Sequence, residues 1–193
     1  MGFFDKLFGG SKKESGFTPS AELMPEDRFW GLIVASNEES EGDADQQEDS
    51  LRELLQELPL QEVITFQNRY RQLRGVAYTW PLWGAAYIIN GGCSDDGFCY
   101  FRDWLIARGP EVYKQAIADA EWLVNVEWSE DGFDAEGMCY VAGAVFEKRT
   151  GDDLPAQYAE NFEISGTEWE EEGDDLARMF PKLWAKYGER YQR

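Results

Sequence analysis

The stretch WPLWGAAYIINGGCSDDGFCYFRDWLIARGP, from Trp80 to Pro110, decides the fold. Its first part, to Ile89, is apolar nearly all round, which in a soluble chain predicts a helix buried on most of its faces. Asn90, Gly91 and Gly92 end that helix. Ser94 is the expected N-cap of the next one, with Asp95 and Asp96 in its first turn, where the helix dipole favours each carboxylate by about 0.3 to 1 kcal/mol. Phe98, Phe101 and Leu105 form the inner stripe of this second helix. Gly109 stops it, and Pro110 opens a further helix carrying Val112, Tyr113 and Ile117. Two helices joined at Asn90 to Ser94 are therefore the expected centre of the molecule.

Helical spacing continues outward on both sides. Pro25 with Glu26 and Asp27 reads as a helix start, followed by Phe29, Trp30 and Ile33 on the buried side. From Glu38 to Asp49 the chain turns acidic and polar, a solvated loop that Asp45 to Asp49 can close by starting another helix. Leu51, Leu54, Leu55 and Leu58 then mark a helix ended by Pro59, and Val63, Phe66, Tyr70 and Leu73 mark another that ends near Gly75. Downstream, Met138, Val141, Ala142 and Val145 predict a helix from about Ala135 to Arg149, capped by Gly151. A last helix runs through Phe180, Leu183 and Tyr187. The chain reads as all-α, a compact single-domain helical array of residues 21–193, preceded by an N-terminal segment of residues 1–20.

That N-terminal segment opens with MGFFDKLFGG, in which Phe3, Phe4, Leu7 and Phe8 gather against Asp5 and Lys6 as a short amphipathic hook. The following SKKESG is a linker by composition. The hook is a candidate for peripheral membrane or partner contact, with packing on the domain or plain disorder as the simpler alternative.

The 193 residues carry 38 acidic and 18 basic side chains, a net charge of −20, which argues against nucleic acid as a partner because phosphate binding rests on Lys and Arg. The acidity is segregated. Residues 119–175 hold 18 acids and two bases, whereas residues 60–118 hold five acids and six bases. The last eighteen residues reverse sign, with Arg178, Lys182, Lys186, Arg190 and Arg193. A basic protein is the partner this layout fits.

Chemistry is sparse. The three cysteines, Cys93, Cys99 and Cys139, lack metal-ligand spacing, and the chain has no histidine to act as base or zinc ligand. No cofactor or metal is expected, and cytoplasmic reduced thiols fit best. The candidate polar site is Ser94, Asp95, Asp96 and Arg102, with Trp83, Tyr87 and Trp104 as candidate pocket wall. Neighbouring carboxylates on a helix point about 100° apart, and Asp95 and Arg102 stand two turns apart. Helix capping and structural ion pairing are the simpler use of these groups. A hard-cation site of Asp95, Asp96 and Asp103 is conceivable on oxygen ligands, though no spacing demands it.

Three phrases carry a family resemblance: EDRFWGLI at 26–33, LRELLQEL at 51–58, and AYTWPLWGAAYIINGGCSDDGFCYFRDWLIARG at 77–109. Across about residues 24–124 the chain resembles the bacterial domain of unknown function 4240. The resemblance implies a mostly helical, cytoplasmic bacterial domain; it implies no established activity, so it carries over no catalytic residues. The function expected is a non-enzymatic acidic protein-binding module, immunity-type or regulatory. The alternative is a metal-dependent hydrolase or small-ligand protein using a carboxylate-arginine cleft.

Overall fold

The computed structural model of the chain describes residues 17–40, 43–128, 135–171 and 174–191. The hook residues Phe3, Phe4, Leu7 and Phe8 lie outside the described residues. The protein is all-α. Its α-helices are α1 (Glu26–Ser40), α2 (Ala44–Gln56), α3 (Leu60–Val76), α4 (Trp80–Asn90), α5 (Asp95–Ala107), α6 (Pro110–Ala118), α7 (Val141–Thr150), α8 (Asp175–Met179) and α9 (Pro181–Tyr191). Two 3-10 turns, Ala120–Asn125 and Met138–Tyr140, complete the helical elements among the described residues.

The central stretch folds as its punctuation requires. Thr79 caps α4 by accepting from the Leu82 amide at 3.3 Å, and Gly91 closes the helix with φ 71°. Ser94 caps α5 by accepting from the Gly97 amide at 3.1 Å. Helix α5 is the hub, with α1, α3, α4 and α6 against it. Its Phe98, Phe101 and Leu105 are fully buried. Helix α4 buries Leu82, Ala85, Ala86, Ile88 and Ile89, and its main neighbour is α9. Each large side chain buried this way contributes roughly 1.5 to 3 kcal/mol.

Three boundaries differ from the sequence reading. Helix α1 runs on through the acidic NEES to Ser40, because Ser36 and Ser40 donate to the Ile33 and Asn37 carbonyls and lie buried beside α2. Helix α2 starts at Ala44, with Asp43 accepting from the Gln46 amide at 2.9 Å, one residue before the start that Asp45 offered, so the loop is shortened mainly by the longer α1. The helix expected from Ala135 begins as a 3-10 turn at Met138 and becomes α7 at Val141. The C-terminal helix is broken at Phe180, where Pro181 starts α9.

Between α7 and α8, residues 151–171 form an extended strap across α3 and α4. The Gln157 amide donates to the Ser20 carbonyl at 3.0 Å, the Tyr158 amide to Asn68 Oδ1 at 3.0 Å, and the Trp80 amide to the Ser165 carbonyl at 2.8 Å. Trp169 is buried against Trp80 and Tyr87 and donates to the Trp80 carbonyl at 3.0 Å. Asn68, fully buried, also donates to the carbonyls of Ser20 and Glu22. It thus ties residues 20–22 and the strap to one helix. The basic residues of α9 are spent on docking: Lys186 donates to the Val124 carbonyl and Arg190 to that of Ile89, at 2.9 and 3.0 Å. Among the described residues no helix is long and apolar enough to cross a membrane.

Candidate functional site

Gln67, Tyr70, Arg71 and Arg74 recur at three- and four-residue spacing and therefore share one face of α3. Tyr70 and Arg74 reach Asp103 of α5, and the outer part of that face meets the strap. Arg71 donates to the carbonyls of Ala156 at 3.0 Å and Tyr158 at 3.5 Å, holding the strap across it.

Beneath the crossing lies a buried charge cluster. From α5, Arg102 Nη1 donates to Glu160 Oε1 of the strap at 3.1 Å and to the Arg74 carbonyl at 3.0 Å, while its guanidinium covers the Tyr78 ring at 4.7 Å. Arg74 Nη1 reaches Glu160 Oε2 at 3.4 Å. Its Nε lies 2.9 Å from Asp103 Oδ1, close enough for charge pairing but off the angle of a hydrogen bond. Tyr70 donates its hydroxyl to the same Asp103 oxygen at 3.0 Å. Two cations thus face two anions, and Asp103 Oδ2 and Arg102 Nε have no hydrogen-bond partner among the described residues.

Burial sets the protonation of the cluster. It pushes Asp103 up to about 6, against the opposing pull of Arg74 and the Tyr70 hydroxyl. Burial also acts against the charge of Arg74, but Asp103 and Glu160 outweigh it and hold the guanidinium protonated. Cys139 and Cys93 are each pushed up to about 12, first by burial, so both are thiols at neutral pH and poor nucleophiles.

A cavity of about 420 Å³ opens beside this cluster, with Tyr70, Arg74, Cys139 and Glu160 in its walls. A second, of about 370 Å³, shares Gln67, Arg71, Cys139 and Tyr140 with it and extends along α7 to Asp153 and Leu154. The two form one groove between α3, the start of α7 and the strap. Tyr140 and Phe162 line it while remaining 65% and 75% exposed. With Val76, these are the exposed large hydrophobic residues among the described residues. The acids Glu147 and Asp153 stand in the wall of the second cavity. The arrangement offers exposed aromatic surface at Tyr140 and Phe162 and the acids Glu147 and Asp153 at one end, with Arg71 in the wall of both cavities.

The residues singled out on sequence fall in different places. Ser94, Asp95 and Asp96 are exposed at the start of α5, and Ser94 is spent on its cap. Arg102, buried, turns to Glu160 and Arg74, so it does not join Asp95 and Asp96 in one site. Trp83 stacks on Phe98 at 5.1 Å and donates to the Cys93 carbonyl at 2.9 Å. Tyr87 packs on Trp169 at 5.0 Å and donates its hydroxyl to Glu171. Trp104 packs on Trp128 at 4.4 Å and lies under Arg108. None of these three tryptophan and tyrosine side chains lines the groove. Asp103, weighed on sequence as a cation ligand, has arginines for neighbours, and no group of three or more Cys, Asp or Glu among the described residues is arranged to hold a metal. Glu160 and Phe162 went unread because an extended strap carries no periodicity. Tyr140 had a signal, since it falls off the stripe of Met138, Val141, Ala142 and Val145.

The family described as Protein of unknown function (DUF4240) matches residues 24–148. The chain belongs to this family. The DUF4240 match runs from the entry of α1 into α7, beyond the point near residue 124 where the sequence resemblance ended. It includes Tyr70, Arg74, Arg102, Asp103 and Tyr140, and it stops before the strap that supplies Glu160 and Phe162. No curated protein and no solved structure matches the chain significantly.

Proposed function

We propose that the protein is a non-enzymatic binding module, acting in the cytoplasm in an immunity-type or regulatory role, whose groove receives a basic amphipathic segment of a partner protein. The observation that carries this reading is the pair of exposed aromatic residues, Tyr140 and Phe162, flanking a groove with Glu147 and Asp153 at one end. Exposed aromatic anchors beside a concavity are the usual hot spots of protein recognition. The net charge of −20 adds long-range attraction for a cationic partner and repulsion of an anionic one. The second reading, a metal-dependent hydrolase or small-ligand protein built on Asp95, Asp96 and Arg102, draws no support from their separate placement.

The test is fluorescence anisotropy with the full chain and a labelled twelve-residue helical peptide that sets Leu and Phe at three- and four-residue spacing on one face and Lys and Arg on the other. Binding is expected, weakening about tenfold or more between 50 and 500 mM NaCl. The paired substitution Tyr140→Ser and Phe162→Ser is expected to weaken it by about tenfold, the loss of about 1.4 kcal/mol. Equal binding of a peptide with Glu in place of Lys and Arg, or binding indifferent to the paired substitution, would refute the reading.

A further inference from the structure

We infer that the face of α3 and α5 beneath the strap is a binding site for an extended peptide segment bearing one carboxylate, and that the strap fills it in cis through Glu160. The inference does not depend on the groove reading, because it concerns the surface that the strap covers.

The first observation is how the strap is held. Arg71 donates to the carbonyls of Ala156 and Tyr158, Asn68 Oδ1 accepts from the Tyr158 amide, and the Gln157 amide donates to the Ser20 carbonyl. Contacts of this kind grip an extended main chain whatever its side chains, which is how peptide-binding domains hold their ligands. Gly75 lets the strap come close, since a Cβ there would stand 3.2 Å from the Asn161 nitrogen. No residue from Gly151 to Glu168 is fully buried. Of the acids in that span, Asp152, Asp153, Glu163 and Glu168 are exposed, whereas the Glu160 side chain, 8% exposed, turns inward.

The second observation is that the seat is complete without the strap. Arg102 donates to the Arg74 carbonyl and to the Cys99 sulfur, and its guanidinium lies over the Tyr78 and Phe98 rings. Arg74 lies against Asp103, which also accepts from the Tyr70 hydroxyl. All of these groups belong to residues 24–148, the part that the family model covers. What the strap adds is one carboxylate, with Oε1 on Arg102 and Oε2 on Arg74. Without it, two guanidinium groups face the single carboxylate of Asp103. Arg102 Nε, buried, has no hydrogen-bond partner among the described residues even with the strap in place. An excess cation already stripped of water is a seat for one anion, and a guanidinium fork suits a carboxylate.

The third observation limits the occupant. Residues 154–162, LPAQYAENF, hold one acid and no base. In a molecule of net charge −20 a segment with several acids would be repelled, so the ligand that fits is a largely neutral, extended stretch with one Glu. Because the strap buries little of itself, it can open while the helices stay folded. A ligand in trans then competes with a tethered one at millimolar effective concentration.

The experiment uses the full chain carrying Glu160→Ala and a labelled peptide of residues 154–162, read by fluorescence anisotropy. The peptide is expected to bind the variant about tenfold or more tightly than it binds the native chain, whose strap competes in cis. The same peptide carrying Glu160→Gln is expected to bind the variant about tenfold or more weakly than the Glu peptide. Equal binding to variant and native chain, or equal binding of the Glu and Gln peptides, would overturn the inference. Stabilisation of the variant by sodium acetate without peptide binding would overturn it too, by assigning the seat to a free carboxylate. Should the variant not fold, hydrogen exchange on the native chain decides. The Tyr158 amide is expected to be protected about 100-fold less than the α5 amides of Phe101 and Leu105, through an opening that leaves α5 intact. A Tyr158 amide as protected as those of α5 would make the strap part of the core and overturn the inference.

Discussion

Asp103 is the residue at which the energetics of the core can be read from outside. Its carboxyl group is fully buried, and the groups that face it come from every element around it: Tyr70 and Arg74 from α3, Arg102 from α5 itself, Glu160 from the strap and Cys139 from the 3-10 turn. Burial raises its pKa to about 6, so the folded state holds a proton that the unfolded chain has lost. A carboxyl raised on folding stabilises fully below its unfolded pKa, near 4, and that contribution is lost as pH rises through about 6. Between pH 7.5 and pH 5 the native protein should therefore gain about 1 kcal/mol that Asp103→Asn does not. Urea unfolding of both proteins at the two pH values reads it as a difference of differences. If that difference shrinks or stays flat on acidification, the arginines win over desolvation and hold Asp103 ionised.

At the scale of elements, the helices were legible because periodicity, caps and breakers are local. Ser94, Gly109 and Pro110 mark the ends of α5 in the sequence as in the structure. What sequence could not supply is pairing at long range. Arg102 was visible as a charge on an apolar helix, but its anion is Glu160, 58 positions away on a segment without a pattern. Sequence alone offers Arg102 the nearer Asp95, two helical turns away on the same helix. The docking of α9 shows the same limit. Gly91 reads locally as a helix stop, yet a Cβ there would lie 2.4 Å from the Arg190 carbonyl oxygen, so the glycine also lets α9 approach the end of α4. Gly91→Ala should cost about 2 to 4 kcal/mol, the sum of a left-handed backbone penalty and displacement of α9. Gly151→Ala is the control, with φ 75° at the end of α7 and no atom within 4 Å of its Cβ, so it carries the left-handed strain alone. Urea midpoints of the two variants separate the effects. A Gly91→Ala protein no less stable than Gly151→Ala would show that α9 yields at little cost.

For the whole molecule, two kinds of electrostatics compete, and salt tells them apart. The cluster of Arg74, Arg102, Asp103 and Glu160 is balanced and mostly buried, with side-chain exposures of 19%, 3%, 1% and 8%. Buried pairs of this sort are screened little by added ions. Much of the remaining charge is acidic and exposed, in a molecule of net charge −20, and like charges at the surface oppose the compact state. Lys186 and Arg190 of α9 keep their charge while they donate to backbone carbonyls, and the net of −20 already counts them. Raising NaCl from 20 to 300 mM should therefore stabilise the fold by about 1 to 2 kcal/mol, a rise in Tm of about 2 to 6 °C. Calorimetry at matched ionic strength in NaCl and Na2SO4 separates screening, which follows ionic strength, from surface exclusion of sulfate. A Tm that falls with NaCl would mean that exposed pairs such as Arg28 with Glu62 and Lys182 with Glu121 outweigh the repulsion. Under the proposed binding role, the same repulsion would favour a cationic segment, which relieves charge, over an anionic one, which adds to it.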